Sequence, residues 1–181
     1  MTVPSPALSE LQYPIGKFSY TGPLTEEQRK QSIDEIAEAP KKFRAAVSGL
    51  TPQQIETPYR DGGWSVRQVA HHVPESHMNA YLRFKWALTE DQPTIKSYKE
   101  NEWAKTPDVA KTSVETSLAL LDALHERWVI LLRSLSAADY ERKLNHPENG
   151  EMTLDKLLAL YSWHGKHHTA HVSNLRKRSG W

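Results

Sequence analysis

The chain of 181 residues contains no cysteine, which removes disulfide scaffolding, thiolate metal ligands and a cysteine nucleophile together. Any metal must sit on nitrogen and oxygen. Net charge is also nearly absent: 23 Lys+Arg against 22 Asp+Glu leave +1, too little to draw the chain to nucleic acid or an anionic membrane. Residues 1–20 include Pro4, Pro6, Glu10, Pro14 and Lys17 and hold no apolar run long enough for a signal peptide or a membrane span. A cytoplasmic protein with a small-molecule substrate is expected. Strand-like alternation is nearly missing, and there is no internal repeat or low-complexity segment.

What is present is helical. The length fits one domain, residues 1–181, able to bury roughly 70% of its unfolded surface, with residues 1–24 as an extended leader on or flanking it. From Thr25 to about Leu50, the residues Ile33, Ile36, Ala37, Phe43, Ala46 and Val47 recur at mostly helical spacing. Pro40 predicts a kink or break near Ala39, because an interior proline removes a hydrogen bond and crowds the preceding turn. Ser65 and Gln68 have capping-box spacing and open a second helix running to about Leu88. A polar crossover, about Thr89 to Lys111, follows; its length lets it span a bundle. A third helix opens at Thr112 with Glu115 three residues on, its apolar face built from Leu118, Leu121, Leu124, Trp128, Leu131 and Leu132. Residues 136–140 read as a short turn. Glu148-Asn149-Gly150-Glu151 reads as a turn ahead of Thr153, which caps a last helix reaching about Lys177, with Gly180 at its exit. The fold class is all-α, a four-helix bundle with long crossover connections.

Seven of the nine histidines fall in two clusters: His71, His72 and His77 on the second helix, and His164, His167, His168 and His171 on the fourth. At about 100° per residue the latter four share an arc of about 100°. That arc continues the line of Leu157, Leu160, Tyr161 and Leu175, the face the bundle must bury. Buried imidazoles without partners cost roughly 1 to 3 kcal/mol each, and a metal ion would accept their lone pairs. On the second helix, His72 lies on the edge of the buried face with Ser76, Asn79 and Arg83, whereas His71 points largely away. His164 with His168, or His167 with His171, supplies an i, i+4 pair; either pair plus His72 leaves coordination positions open, as in catalytic zinc. Taken singly, His77, His125, His146 and His167 read as structural residues.

No Glu follows His164; Gly165 and Lys166 stand there, so the built-in base of the HExxH pattern is missing. Candidate proton carriers are Asp61 and Glu75. Arg60, Arg67 or Arg83 can orient an anionic substrate, and Arg83 with Asn79 is the candidate pair for binding a cofactor. Trp64, Trp103 and Trp181 are candidate aromatic walls, although core packing or a dimer contact is the ordinary role of such residues.

The stretch Thr57-Pro58-Tyr59-Arg60-Asp61-Gly62-Gly63-Trp64-Ser65-Val66-Arg67-Gln68-Val69-Ala70-His71-His72, then Ser76-His77-Met78-Asn79, then Tyr161 to His171, closely resembles the YfiT-like branch of the DinB superfamily. The likeness extends to the leader segment Tyr13-Pro14-Ile15-Gly16 and to Leu118-Ala119-Leu120-Leu121. It implies a four-helix bundle of unusual connectivity, a homodimer, and one zinc or nickel ion per chain held by His72, His164 and His168, which breaks the tie between the two pairs. It also implies a metal-dependent hydrolase acting on small substrates. Relatives in the superfamily transfer a low-molecular-weight thiol to electrophiles, so a thiol co-substrate is the alternative. A third reading, from another class, is a non-catalytic metal-binding stress-response bundle, which a fourth ligand from His167, His171 or Glu75 would favour. Pro74, two residues after His72, departs from the pattern and is expected to bend the helix beside the metal.

Overall fold

The structure, a computed structural model, describes residues 7–181; the first six leader residues, Pro4 and Pro6 among them, lie outside the described residues. In chain order the elements are α1 (Leu8–Gln12), α2 (Glu26–Val47), α3 (Pro52–Ile55), α4 (Val66–Thr89), α5 (Glu100–Trp103), α6 (Pro107–Lys111), α7 (Val114–Ser134), α8 (Ala137–Tyr140), β1 (Lys143–His146), β2 (Gly150–Thr153) and α9 (Leu154–Ser179). The four long helices α2, α4, α7 and α9 make the bundle.

The chain starts these helices where its polar caps allow. Thr25 and Ser65 each accept a backbone N–H three residues on, from Gln28 and Gln68, and both glutamines reach back to the cap. Thr153 caps α9, and Gly180 ends it in the left-handed conformation at φ 72°. The third long helix is capped by Ser113 rather than Thr112, because Thr112 is already the extended residue closing α6. Residues 136–140 form a helical turn, α8.

Two expectations about regular structure are corrected. The segment flanking the turn at 147–149 forms an antiparallel hairpin, β1 with β2, pairing Leu144 with Met152, and Thr94 bridges to Asn145 beside it. Four-residue strands are too short to show a period. The leader is not wholly extended either, since α1 interrupts it.

Both interior prolines sit inside unbroken helices, so neither Pro40 nor Pro74 ends its element. Each is buried between neighbouring helices, and packing holds the helix across the missing hydrogen bond. Each proline also frees the carbonyl four residues before it, Ile36 or Ala70, from its usual donor.

Around the bundle, α2 packs on α9 and α7, while α4 packs on α7 and α9. The cyclic order is therefore α2, α9, α4, α7, with consecutive helices α2 and α4, and again α7 and α9, on diagonals. The first and third connections span the bundle. The long second connection, which looked able to do so, joins neighbours instead and carries α6 against α4.

The apolar interior is divided. One cluster gathers Ile33, Ile36, Phe84, Trp128, Leu132, Leu154, Leu157 and Tyr161, and the other Phe43, Val47, Val66, Val69, Leu118, Leu121, Val172 and Leu175. Full burial of side chains this large stabilises by roughly 1.5 to 3 kcal/mol each. Between the clusters each helix passes through a polar waist: residues 71–77 on α4, His125 on α7, residues 164–171 on α9 and the Pro40 region on α2. Eight of the nine histidines occupy that waist, His146 on β1 being the exception.

Candidate metal centre

His72 from α4 meets His164 and His168 from α9, with one ring nitrogen from each lying within 4.8 Å of the others. The ring centroids are 4.5 to 5.4 Å apart. Among the described residues this is the one group of three or more His, Asp or Glu side chains so arranged. Burial drives the His72 pKa down to about 4. Burial, and then the neighbouring imidazoles, hold His164 and His168 well below the ordinary histidine range. All three rings are therefore uncharged at neutral pH, which is the form that ligates a cation. The donor set fits a borderline divalent ion such as Zn2+ or Ni2+. Pro74 does not turn His72 away.

The three imidazoles line a cleft of about 310 Å3, within the lower range of small-molecule sites. Trp64 stands over them, its ring centre 4.6 Å from that of His72 and nearly parallel to His168 at 6.4 Å. The turn before it is tight: a Cβ at Gly63 would lie 2.7 Å from Arg60 Cγ, and Gly62 sits at φ 64°. Arg60 lines the cleft, with its Nη1 donating to the Asp61 carbonyl and its buried Nε without a partner. Across the cleft, Trp163 stacks on His167 and Tyr59 on His171, with ring centres 4.3 and 3.9 Å apart. A larger depression, about 1070 Å3 and lined by Glu26, Arg29, Lys30 and Arg133, contains no histidine; chemistry rather than size selects the site.

The other proposed residues are scattered. Asp61 is exposed, and neither it nor Glu75, Asn79 or Arg83 lines the cleft. Asn79 donates to the Glu75 carbonyl, and buried Arg83 lies against the Tyr161 hydroxyl. Arg67 pairs with Glu56. Of the three tryptophans only Trp64 reaches the cleft; Trp103 packs on Tyr98, and Trp181 is at the chain end. His71 does not point away: it is buried, with Nδ1 2.7 Å from Ser117 Oγ, because α7 covers that side of α4. His146 closes the hairpin by accepting the Glu148 N–H at 3.2 Å.

The cleft also contains residues that sequence reasoning passed over, chiefly Glu100, Asn101, Tyr13 and Trp163. Glu100 and Asn101 lie in a crossover that reads as polar linker, with no periodicity to single them out. Burial raises the Glu100 pKa, Glu148 adds to the effect and Arg83 opposes it. Trp64 Nε1 donates to Asn101 Oδ1 at 3.2 Å, tying α5 to the rim.

The chain is similar to known proteins over nearly its whole length. Residues 35–172 match the DinB superfamily. A protein of Bacillus mycoides (strain KBAB4) is 53% identical over 174 residues, 96% of this chain and all of its own length. One from Bacillus cereus (strain B4264) is 54% identical over the same span. The chain belongs to the DinB superfamily. Both relatives carry the name "Putative metal-dependent hydrolase". YfiT from Bacillus subtilis, described as "a probable metal-dependent hydrolase with an unusual four-helix bundle topology", superposes with a TM-score of 0.93 at 44% identity, covering 95% of this chain and 99% of its own. TT2238, a four-helix bundle protein, shares the fold alone, at a TM-score of 0.56 and 19% identity over 84% of this chain. This DinB-superfamily chain therefore has the expected all-α four-helix bundle, with consecutive helices α2 and α4, and α7 and α9, on its diagonals.

Proposed function

We propose that the chain is a hydrolase of small substrates that depends on one divalent cation, Zn2+ or Ni2+, held by His72, His164 and His168. The observation that carries the reading is the donor count. Three uncharged nitrogens converge on an open cleft, and no fourth His, Asp or Glu among the described residues completes the group, the pattern of a catalytic rather than a closed structural site. A cation bound there supplies Lewis acidity and acidifies coordinated water.

The chain's own residues do the rest. Glu100, exposed where it lines the cleft but with its carboxyl pKa raised by partial desolvation, accepts the proton from the attacking water. Arg60, which lines the cleft, offers its guanidinium to an anionic part of the substrate. Trp64 covers the ligands from one side and limits the entry of bulk water. The reading includes a cytoplasmic homodimer; Met78, Leu82 and Trp86, each more than a third exposed and spaced four apart on the outer face of α4, offer apolar surface to a second copy.

The test reconstitutes the metal-free protein with Zn2+ or Ni2+. Ester and amide substrates are assayed beside monobromobimane with a panel of low-molecular-weight thiols, each with and without chelator. Cleavage that chelator abolishes, and that His72→Ala lacks, is expected. Chelator-sensitive thiol conjugation without cleavage would replace hydrolysis by thiol transfer. Metal binding with neither activity would favour the non-catalytic bundle.

A further inference from the structure

Two buried histidines that sit outside the three-ligand group are joined to it in a line. His125 Nδ1 lies 2.7 Å from the Ile36 carbonyl oxygen. His125 Nε2 lies 2.7 Å from His77 Nδ1, and His77 Nε2 lies 3.1 Å from His164 Nδ1. The line crosses the waist of the bundle from α2 through α7 and α4 to α9. His77 is fully buried and His125 is 2% exposed, so water does not offer these nitrogens alternative partners.

The direction of this line is set at its far end. A carbonyl oxygen only accepts, so His125 Nδ1 carries the proton. A neutral His125 then has a bare Nε2, which accepts from His77 Nδ1–H. His77 in turn has a bare Nε2, which accepts from His164 Nδ1–H. The lone pair of His164 is left on Nε2. The opposite polarity would set the His125 Nδ1 lone pair against the carbonyl lone pairs at 2.7 Å, or would require a charged ring where burial is nearly complete. Ser76 Oγ, 3.4 Å from His164 Nε2, can donate to that same lone pair.

The anchor has a cause in the sequence. Ile36 is four residues before Pro40, which has no N–H, so the Ile36 carbonyl lacks its helical donor and turns its acceptor capacity to His125. An interior proline that looks like a local defect in α2 is the origin of a hydrogen-bond line ending at the candidate metal centre.

We propose that His77 and His125 are positioning residues that carry this polarity from the Ile36 carbonyl to His164, fixing its Nδ1–H tautomer and orientation so that Nε2 is presented to the cation. The inference rests on the functional reading for the identity of the ligands, but the tautomer is a property of the metal-free protein. Outer partners of metal-bound histidines act in this way, and their loss typically costs 10- to 100-fold in metal affinity. Here the outer partner has an outer partner of its own, on a third helix.

The experiment uses the full chain, metal-free and labelled with 15N at histidine, and reads the tautomers by long-range 1H–15N correlation. Protonated Nδ1 and bare Nε2 at His125, His77 and His164 are expected. His125→Leu should scramble the His164 tautomer and weaken Zn2+ binding by 10- to 100-fold. His125→Gln, whose amide donates to Ile36 and accepts from His77, should restore affinity to within a few-fold. Should His125→Leu fail to fold, the wild-type spectrum still decides. A wild type that binds Zn2+ but carries the His164 proton on Nε2 when metal-free overturns the relay and spares the functional reading. A wild type with the expected tautomers that binds no Zn2+ overturns the functional reading and the purpose assigned to the relay.

Discussion

Gly165 brings α9 against α2 at Ala39: a Cβ built on the glycine would lie 3.2 Å from Ala39 Cβ and 3.6 Å from His77 Cε1. The glycine interrupts a run of histidines where a good helix former would otherwise serve, and this close approach is its physical reason. Gly165→Ala gains about 1 kcal/mol of helix propensity but overpacks a contact whose other side is a Cβ fixed to a helix backbone, at about 1 to 3 kcal/mol. A net loss of about 1 kcal/mol in urea unfolding is expected, with a larger loss for Gly165→Val. A stabilised Gly165→Ala would show that α2 can move outward there.

Asp155 ties the leader to the last helix. Its buried carboxylate accepts from Arg29 Nε and the Leu24 N–H at 2.6 Å and from the Tyr20 hydroxyl at 2.9 Å. Removing one partner of a buried pair leaves the other charge poorly compensated. Asp155→Ala should therefore cost about 3 kcal/mol by chemical denaturation, with Zn2+ affinity unchanged because the carboxylate is remote from the cleft. A loss below about 1 kcal/mol would mean that water replaces these contacts.

How much of this was legible depends on where the causes lie. Ser65 with Gln68, Thr153 and Gly180 act within a turn of chain, so their roles as caps and exit were readable. The facial arc of α9 was readable for the same reason, although choosing His164 with His168 over His167 with His171 needed the family resemblance. The partnership of His77 with His125 was not legible: 48 residues and two helices separate them, and the acceptor at the end of their line is a backbone carbonyl. Only Pro40 marked it, and a proline advertises a missing donor without naming who uses the carbonyl. His71 was misplaced because periodicity gives one buried stripe, whereas α4 is covered on two sides, by α7 and α9.

The buried histidines make the metal-free protein acid-sensitive in a defined window. His72 and His125 have pKa values of about 4 when folded, each chiefly through burial, against about 6.5 in the unfolded chain. Because the folded value is depressed, their contribution to stability is full above pH 6.5 and is lost as pH falls towards about 4. Between those limits the unfolded chain takes the proton first, with a slope of about 1.4 kcal/mol per pH unit for each ring. Urea midpoints measured from pH 8 to 4.5 should be level at the alkaline end and fall steeply below 6.5. Level midpoints throughout would mean that the rings protonate freely in the folded state.

The cleft carboxylate, rather than those first suggested by sequence, should control turnover. Glu100 lines the cavity with the three ligands, whereas Asp61 and Glu75 do not, so Glu100→Gln removes a proton acceptor while keeping the shape of the wall. For hydrolysis of an ester substrate, kcat should fall by about 10²- to 10⁴-fold, with Zn2+ affinity unchanged because the carboxylate is not one of the converging donors. Burial, reinforced by Glu148 and opposed by Arg83, raises the Glu100 pKa. The acidic limb of the wild-type kcat profile should therefore lie above the ordinary glutamate range and disappear in Glu100→Gln. Asp61→Asn and Glu75→Gln are the controls, each expected to keep kcat within about twofold, as for groups outside the cleft. If Asp61→Asn instead abolished turnover and Glu100→Gln did not, the exposed turn at residues 61–63 would have to fold inward during the reaction, and the base would be Asp61.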